Sequence, residues 1–595
     1  MPDPFHRKSL RACLLLCASA ALVSGCGGEG SSQPVTLEAV STAESPAKVT
    51  PATTDTTSAK SAYTLGDRGQ AHDSLLRIGF GGTMDEIDAA VGQSPSALLR
   101  EQFAKPYRPI LPDVLASPGA GKGQDSRRHT AIWWDRAITG DDPLRQRMVF
   151  ALSQILVASD IQSNDGAANA YYLDILGRNA FGNYRDLLEE ITYSPAMAQY
   201  LTYLRNRKGD PSRGRLPDEN YAREILQLFS IGLVELNKDG TLKLDGNGQP
   251  IETYTNEDIV GLARVFTGLT YDANNFAGGP TGDALHTPLE MSSAEHSPLE
   301  KSFLGTTIPA GTGGEASIDQ ALDTIFNHPN VAPFVAGQLI QRFTLSNPNA
   351  GYVRDVARAF ETGRYTAPDG EVFGNGQRGD LLATLAAVHL DDRFVGGAPD
   401  SWGGGKMREP VLRFAGWARA MGVRNVDAFN EWSLLYDMES NRRLSQGPFR
   451  SRSVFNFYRP GYVPAGTRAG RKGRTVPELQ IHNEGAVAGY NDFMHNFVFD
   501  RSPQKSADVN SFAVDFDDET ALAGDPTALV DHLDTLLMGG RMDSSTRTRI
   551  IEAVSEIDIR EPLGNAPDRP EDDRRIRARL AVYMAVTSPE YYVQY

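Results

Sequence analysis

The sequence predicts a mainly α protein: a large multi-helix globular domain with a small β-hairpin inserted at about 233–255 and long ordered loops. Three observations predict it. Apolar residues recur at helical spacing in one segment after another between about residues 68 and 422. Several of these segments open on a capping Ser, Thr or Asp, or on a Pro at the first helical position. Alternating strand-like runs are sparse, and the best of them is Leu233–Thr255. The 595-residue chain is long enough for two to four ordinary domains or one large helical one. Its composition, 40% hydrophobic and 23% charged, is that of a folded chain, and its net charge of -16 argues against a nucleic-acid partner.

The N-terminus reads differently. Arg7, Lys8 and Arg11 precede the apolar run "ACLLLCASAALVSG", which has the shape of an export signal. "LVSGC" (Leu22 to Cys26) resembles a bacterial lipobox, which implies removal of residues 1–25 and a lipid on Cys26. Residues 26–66 are rich in Gly, Ser, Thr and Pro and read as a flexible tether with a reach of roughly 30–36 Å. The expected place is the cell envelope, with the membrane reached through the lipid. Gly27 and Gly28 carry no retention aspartate, which favours the outer membrane. The chain's three cysteines are Cys13, Cys17 and Cys26, so the body has no disulfide, thiol nucleophile or Cys-ligated metal.

Residues 67–595 form the predicted helical body, with a candidate sub-boundary near 425–475. "DDPLRQRMVFALSQILVAS" places Asp142 as N-cap and Pro143 at the first helical position. "YSPAMAQYLTYL" repeats the device with Ser194 and Pro195. "SIDQALDTIF", "PFVAGQLIQRF", "YVRDVARAF", "GDLLATLAAVHL" and "EPVLRFAGWARAMG" continue at helical spacing. Asn441–Gly473 is rich in Arg, Gly, Pro and aromatics and reads as a long ordered loop. The tail from Pro477 is helical again, with a polar break at Ser502–Ser511.

"RLPDENYAREILQLFSIGLVEL" (Arg215–Leu236) is the densest stretch. Read as one helix, it starts at Pro217 with Asp218 and Glu219 in its first turn. With Tyr221 at 0°, Glu224 falls near about 300°, between Ile231 and Leu228 in the apolar arc. A carboxylate there must be paired, metal-bound or protonated, so it is a candidate acid/base group. Glu219 and Arg223 form an i, i+4 pair on the polar strip. In "TNEDIVGLARVFTGL", Thr255 and Asp258 have capping-box spacing, which gives Asp258 a structural reason, and Arg264 falls on the polar side. "NKDGTLKLDGNG" carries Asp239, Asp245 and Asn247, but an EF-hand register would put Gly246 where the bidentate Glu belongs. Turn chemistry explains these residues without calcium, and no cofactor or metal is expected.

Catalytic signatures are missing: there is no zinc-binding His-Glu-x-x-His, no G-x-S-x-G elbow, no P-loop and no dinucleotide glycine set. Ser502-Pro-Gln-Lys505 matches a bare S-x-x-K pattern without companion motifs.

"LPDENYAREILQLFSIGLVEL", "YTNEDIVGLARVFTGLT" and "AEHSPLEKSFLG" resemble, in order and spacing, the motifs of a bacterial family known as domain of unknown function 1800. "LLRIGFGGTMDEI", "DPLRQRMVFALSQILVAS", "AFGNYRDLLEEITYSPAM" and "KMREPVLRFAGWARAMG" resemble further blocks of it, from about residue 70 to the C-terminus. His296 and Lys301 match a His…Lys…Leu-Gly block. Where the family commonly carries an aromatic-histidine segment, this chain reads Phe150–Ile155 without histidine, so a metal or haem role resting on those histidines is not implied. The resemblance implies a mostly helical exported protein and an exported sulfatase-like protein as a candidate partner.

Two readings of function follow. The first is a lipid-anchored accessory protein that binds an exported partner or surface polymer, with Asn220, Arg223, Arg264 and Lys301 as candidate binding residues. The second is a hydrolase or lyase of envelope or extracellular polymer, with Glu224 as acid/base and Asp258 and His296 as further catalytic candidates. A cofactor-bearing redox protein comes third.

Overall fold

The computed structural model describes residues 63–116, 127–162, 165–394, 404–425, 435, 437–499 and 512–595. The expected export signal, lipid-bearing Cys26, the tether up to residue 62 and the Ser502–Lys505 pattern lie outside them. Residues Tyr63–Tyr595 group into one unit.

The fold is mainly α, with five two-stranded antiparallel sheets among the described residues. Helix α1 (Pro143–Ser153) begins on the expected Pro, and every residue from Leu144 to Ser153 is buried. It is therefore a central helix with no solvent face. Asp142 turns its carboxylate to Gln146 Nε2 at 3.0 Å instead of capping the helix.

Helix α2 spans only Asn220–Gln227, and this corrects the long helix expected over Arg215–Leu236. Pro217 and Asp218 precede it, and Asp218 Oδ1 accepts the Asn220 amide at 2.8 Å. After Gln227 the helical ladder gives way to wider turns. The Leu228 and Phe229 amides both donate to the Glu224 carbonyl, and those of Ile231 and Gly232 to Leu226. Gly232 takes φ +71, the left-handed turn that ends helices. Ile231 therefore does not flank Glu224 on a helical surface.

The inserted β segment forms isolated bridges, Val234 with Glu252, Leu236 with Leu242 and Leu244 with Pro250. Its two turns use Gly240 and Gly248 at positive φ. Asp239 Oδ1 accepts the Thr241 amide at 3.0 Å, and Asp245 Oδ1 accepts those of Asn247 and Gln249 at 2.8 Å. The side chains considered for calcium thus close turns.

Helix α3 (Asn256–Ala263) follows. Strands β1 (Leu269–Thr270) and β2 (Glu290–Met291) pair, as do β3 (Lys301–Phe303) and β4 (Thr306–Ile308). Gly261 of α3 lies against β3 so closely that a Cβ would strike the Ser302 carbonyl. Helices α4 (Gly314–Asn327), α5 (Val331–Phe343), α6 (Ala350–Thr362) and α7 (Leu381–His389) match the periodic segments of the sequence. Between α6 and α7, β5 (Tyr365–Thr366) pairs with β6 (Val372–Phe373). Helix α8 (Pro410–Ala420) follows, and α9 (Arg569–Val586) lies near the C-terminus. Strand β7 (Lys406–Met407) pairs with β10 (Val593–Gln594), and β8 (Arg424–Asn425) with β9 (Phe512–Ala513). Among the described residues no helix is long and apolar enough to cross a membrane.

The core is built on aromatic rings. Trp133 lies 5.0 Å from Trp134 with tilted planes and meets Phe449 edge-on at 5.2 Å, and Trp134 lies 5.5 Å from Phe414 of α8. Phe449 belongs to the long loop, so Leu444–Phe449 is buried interior, not a surface excursion. Replacing such a ring by Ala costs about 3–5 kcal/mol.

Candidate functional site

Helix α2 aligns Tyr221, Ala222, Ile225 and Leu226 with the core, and Glu224 is buried with them, 6% exposed. Oε2 of Glu224 has no hydrogen-bond partner. Burial pushes this carboxyl up, and Arg223 opposes the shift. Two phenols share its surroundings. Burial pushes the Tyr200 hydroxyl up to about 12, Ser451 pulls it down, and Glu224 adds to the rise. Tyr254 is raised by burial, lowered by Arg223 and raised by Glu224, and its buried hydroxyl has no partner. Burial thus disfavours the ionised form of Glu224.

An open groove of about 420 Å³ is lined by Arg223, Gln227, Glu252, Tyr254, Asn256 and Ile259, so Tyr254 and the residue preceding Glu224 on α2 stand on its wall, while Glu224 itself does not. Arg223 keeps the expected helical partner, Glu219, at 3.4 Å. Asn220 Nδ2 reaches the Leu201 carbonyl at 3.3 Å and so closes local structure.

Asp258 is occupied elsewhere. Oδ2 accepts the Thr255 amide at 2.7 Å and its hydroxyl at 2.9 Å, completing the capping box. Oδ1 accepts the Leu304 amide at 2.6 Å. Leu304 has φ +47 in the β3–β4 turn, so Asp258 ties helix α3 to a strained reversal.

His296 lies in a second cluster. Its Nδ1 is 2.9 Å from the Thr267 carbonyl, which makes Nδ1 the protonated nitrogen, and the buried Nε2 has no partner. Burial pushes its pKa down, and Lys301 adds to that. Lys301 is buried, donates to the Leu299 carbonyl at 3.2 Å, and is pushed down by burial and then by Arg264. Arg264 donates to the Glu300 carbonyl at 2.7 Å. Asp258 and His296 thus have their own partners, and among the described residues no hydrogen bond or ion pair joins either of them to Glu224 or to each other. No group of three or more His, Cys, Asp or Glu able to hold a metal occurs among the described residues.

Sequence reasoning missed Tyr200 and Tyr254: both lie in quoted segments, Tyr254 at the start of the "YTNEDIVGLARVFTGLT" block, but only the tertiary fold brings them within electrostatic range of Glu224. It also missed a buried polar centre around α8. Glu409 Oε2 accepts from Tyr458 Oη at 2.7 Å, Gln154 Nε2 at 2.8 Å and Gln446 Nε2 at 2.5 Å. Burial alone would raise its pKa, but Lys406, Arg342 and Arg147 outweigh burial and lower it. Arg147, on α1, is fully buried between Phe80 and Phe343 and is pushed down to about 10, mainly by burial. Ser445, Phe449 and Asn456 all hold positive φ in the loop clamped by this centre. Every oxygen and nitrogen just named as bonded is spent on a partner inside the protein, so the centre fixes the loop.

Among the described residues the chain is a mainly helical protein with an open groove along α2, and no hydrogen bond or ion pair joins Glu224, Asp258 and His296. The chain belongs to the family described as protein of unknown function DUF1800, whose model matches residues 73–593. No curated protein and no solved structure matches it.

Proposed function

We propose that the protein is a lipid-anchored accessory protein of the cell envelope, favoured at the outer membrane, that binds an exported partner or a surface polymer through the groove beside α2. An exported sulfatase-like protein is the candidate partner. The observation that supports this reading is the groove itself: an open channel with amide, guanidinium, carboxylate and phenol groups along an apolar floor. Such a mixture suits a sugar polymer or an extended peptide, which needs hydrogen bonds at intervals and apolar contact between them. Capture with the full-length protein from detergent-solubilised envelopes is expected to recover a reproducible protein or glycan that competes for this groove. Recovery of nothing reproducible counts against the reading.

A second reading rests on Glu224 alone. A carboxyl raised by burial, with one oxygen unpartnered and its neighbour Arg223 on the groove wall, suits a general acid of a hydrolase or lyase. In that case Glu224→Gln keeps the fold and abolishes turnover of an envelope or extracellular polymer. A folded variant with full activity sinks it.

A further inference from the structure

Residues 441–477 contain nine Arg and Lys and no Asp or Glu, in a chain whose net charge is -16. Part of this charge is met by acids from other segments. Arg443 pairs with Asp437, and Arg450 with Asp160 at 2.7 Å and Glu439 at 3.2 Å. The end of the stretch is different. Arg468 and Lys472 have no ion pair or side-chain hydrogen bond among the described residues, and both are exposed.

These two cations stand at a cavity of about 340 Å³, with Arg474, Thr475 and Asn347 also on its wall and the β7–β10 pair at its floor. The loop that presents them is fixed at both ends. Thr467 Oγ1 accepts the Gly470 amide at 3.0 Å, and a Cβ at Gly470 would strike the Pro464 carbonyl. Thr475 donates through its amide to Asn347 Oδ1 at 3.0 Å and through its hydroxyl to the Ser346 carbonyl at 2.9 Å. The acid nearest in sequence, Glu478, is consumed below the floor by Lys406 and by Ser346 Oγ. The cavity is therefore positive, preformed and large enough for a ligand group. Guanidinium and ammonium donors one turn apart, on the short Arg468–Arg471 helix and the Lys472 that ends it, match the several acceptor oxygens of a tetrahedral anion.

From this geometry we propose that the cavity between the Arg468–Thr475 loop and the β7–β10 pair is a binding site for a phosphate group, carried by a lipid headgroup or by a soluble phosphate. The site shares no residue with the groove along α2 and stands whether or not that groove binds a partner.

The test uses the whole soluble body with its tether. Isothermal titration with inorganic phosphate and with tripolyphosphate is run at low salt. In parallel, the protein is sedimented with vesicles of phosphatidylcholine alone and with added phosphatidylglycerol. Saturable binding in solution identifies a soluble phosphate, and binding to the anionic vesicles alone identifies a headgroup. In either arm Arg468→Ser/Lys472→Ser weakens binding at least tenfold with an unchanged Tm. Arg442→Ser/Arg452→Ser, which removes the same charge from exposed positions outside the cavity, leaves binding within about twofold. Absence of binding in both arms overturns the proposal, and so does an equal loss in the two double variants.

Discussion

Lys406 and Glu478 form an ion pair in which neither side chain reaches solvent, at 0% and 1% exposure. Glu478 also accepts from Ser346 Oγ at 2.9 Å, and Ser346 Oγ in turn accepts the Met407 amide at 3.0 Å. The pair therefore ties strand β7 and the segment after α5 to the Pro477–Ile481 turn. A buried charge left without its partner is costly, whereas removing both charges is not. Lys406→Met is expected to lose about 3–5 kcal/mol in urea unfolding, and Lys406→Met/Glu478→Leu to regain much of it. Equal loss in the two variants would show that packing, not charge, is what Lys406 supplies.

Asp258 is assigned to structure, and that assignment is open to test. Its carboxylate caps α3 and holds the Leu304 amide in the β3–β4 turn. Asp258→Ala is expected to cost about 1–3 kcal/mol and to leave groove binding unchanged. A variant that stays as stable as the parent but loses binding would move this residue into the site.

Stability should fall in mild acid because of two buried histidines. Neither ring nitrogen of His389 has a partner, and burial, then Arg77 and Arg147, push its pKa down to about 3. Burial and Arg413 push His482 down to about 4. Both folded values lie below the unfolded value of about 6.5, so between these limits the unfolded chain binds more protons. The contribution is complete above the unfolded value and is lost as pH drops below it, at on the order of 1 kcal/mol per pH unit for each histidine. His389→Leu should flatten the unfolding free energy between pH 6.5 and 5. An unchanged slope contradicts the neutral, buried assignment.

Glu224 has the opposite sign. Burial holds its folded pKa above the unfolded one, so its stabilising contribution is present at low pH and is lost as pH rises through the folded value. Once ionised, the poorly solvated carboxylate weakens the fold. Glu224→Gln should therefore raise Tm at pH 7.5, with a gain that shrinks towards pH 4. A loss of stability at neutral pH would mean that the carboxylate is held by interactions stronger than Arg223.

The helical body was legible because its segments carry their own signals. The Asp142–Pro143 start of α1 and the Thr255–Asp258 capping box of α3 can be read from a few adjacent residues. The burial of Glu224 was also legible, although one reason offered for it, Ile231 on the same helical face, fails because the helix ends at Gln227. The helix stops five residues before Gly232, whose left-handed turn keeps the apolar run Leu228–Leu233 from continuing as one helix. What stayed hidden was tertiary. Tyr200 and Tyr254 come within electrostatic range of Glu224 from separate segments, and Glu409 collects donors from Gln154, Gln446 and Tyr458, so no local spacing encodes either grouping. The long loop was recognised by its Arg, Gly and aromatic content, but its burial depends on Phe449 reaching Trp133.

The claim that the groove beside α2 is the functional site is tested most directly by comparing capture from solubilised envelopes by the parent protein and by Arg223→Ala/Gln227→Ala. Both side chains line the groove and are half-buried, so the variant should keep its Tm. The account predicts that the parent retains a reproducible protein or glycan and that the variant loses it by at least tenfold. Equal capture by the folded variant, or no reproducible capture by the parent, would contradict it.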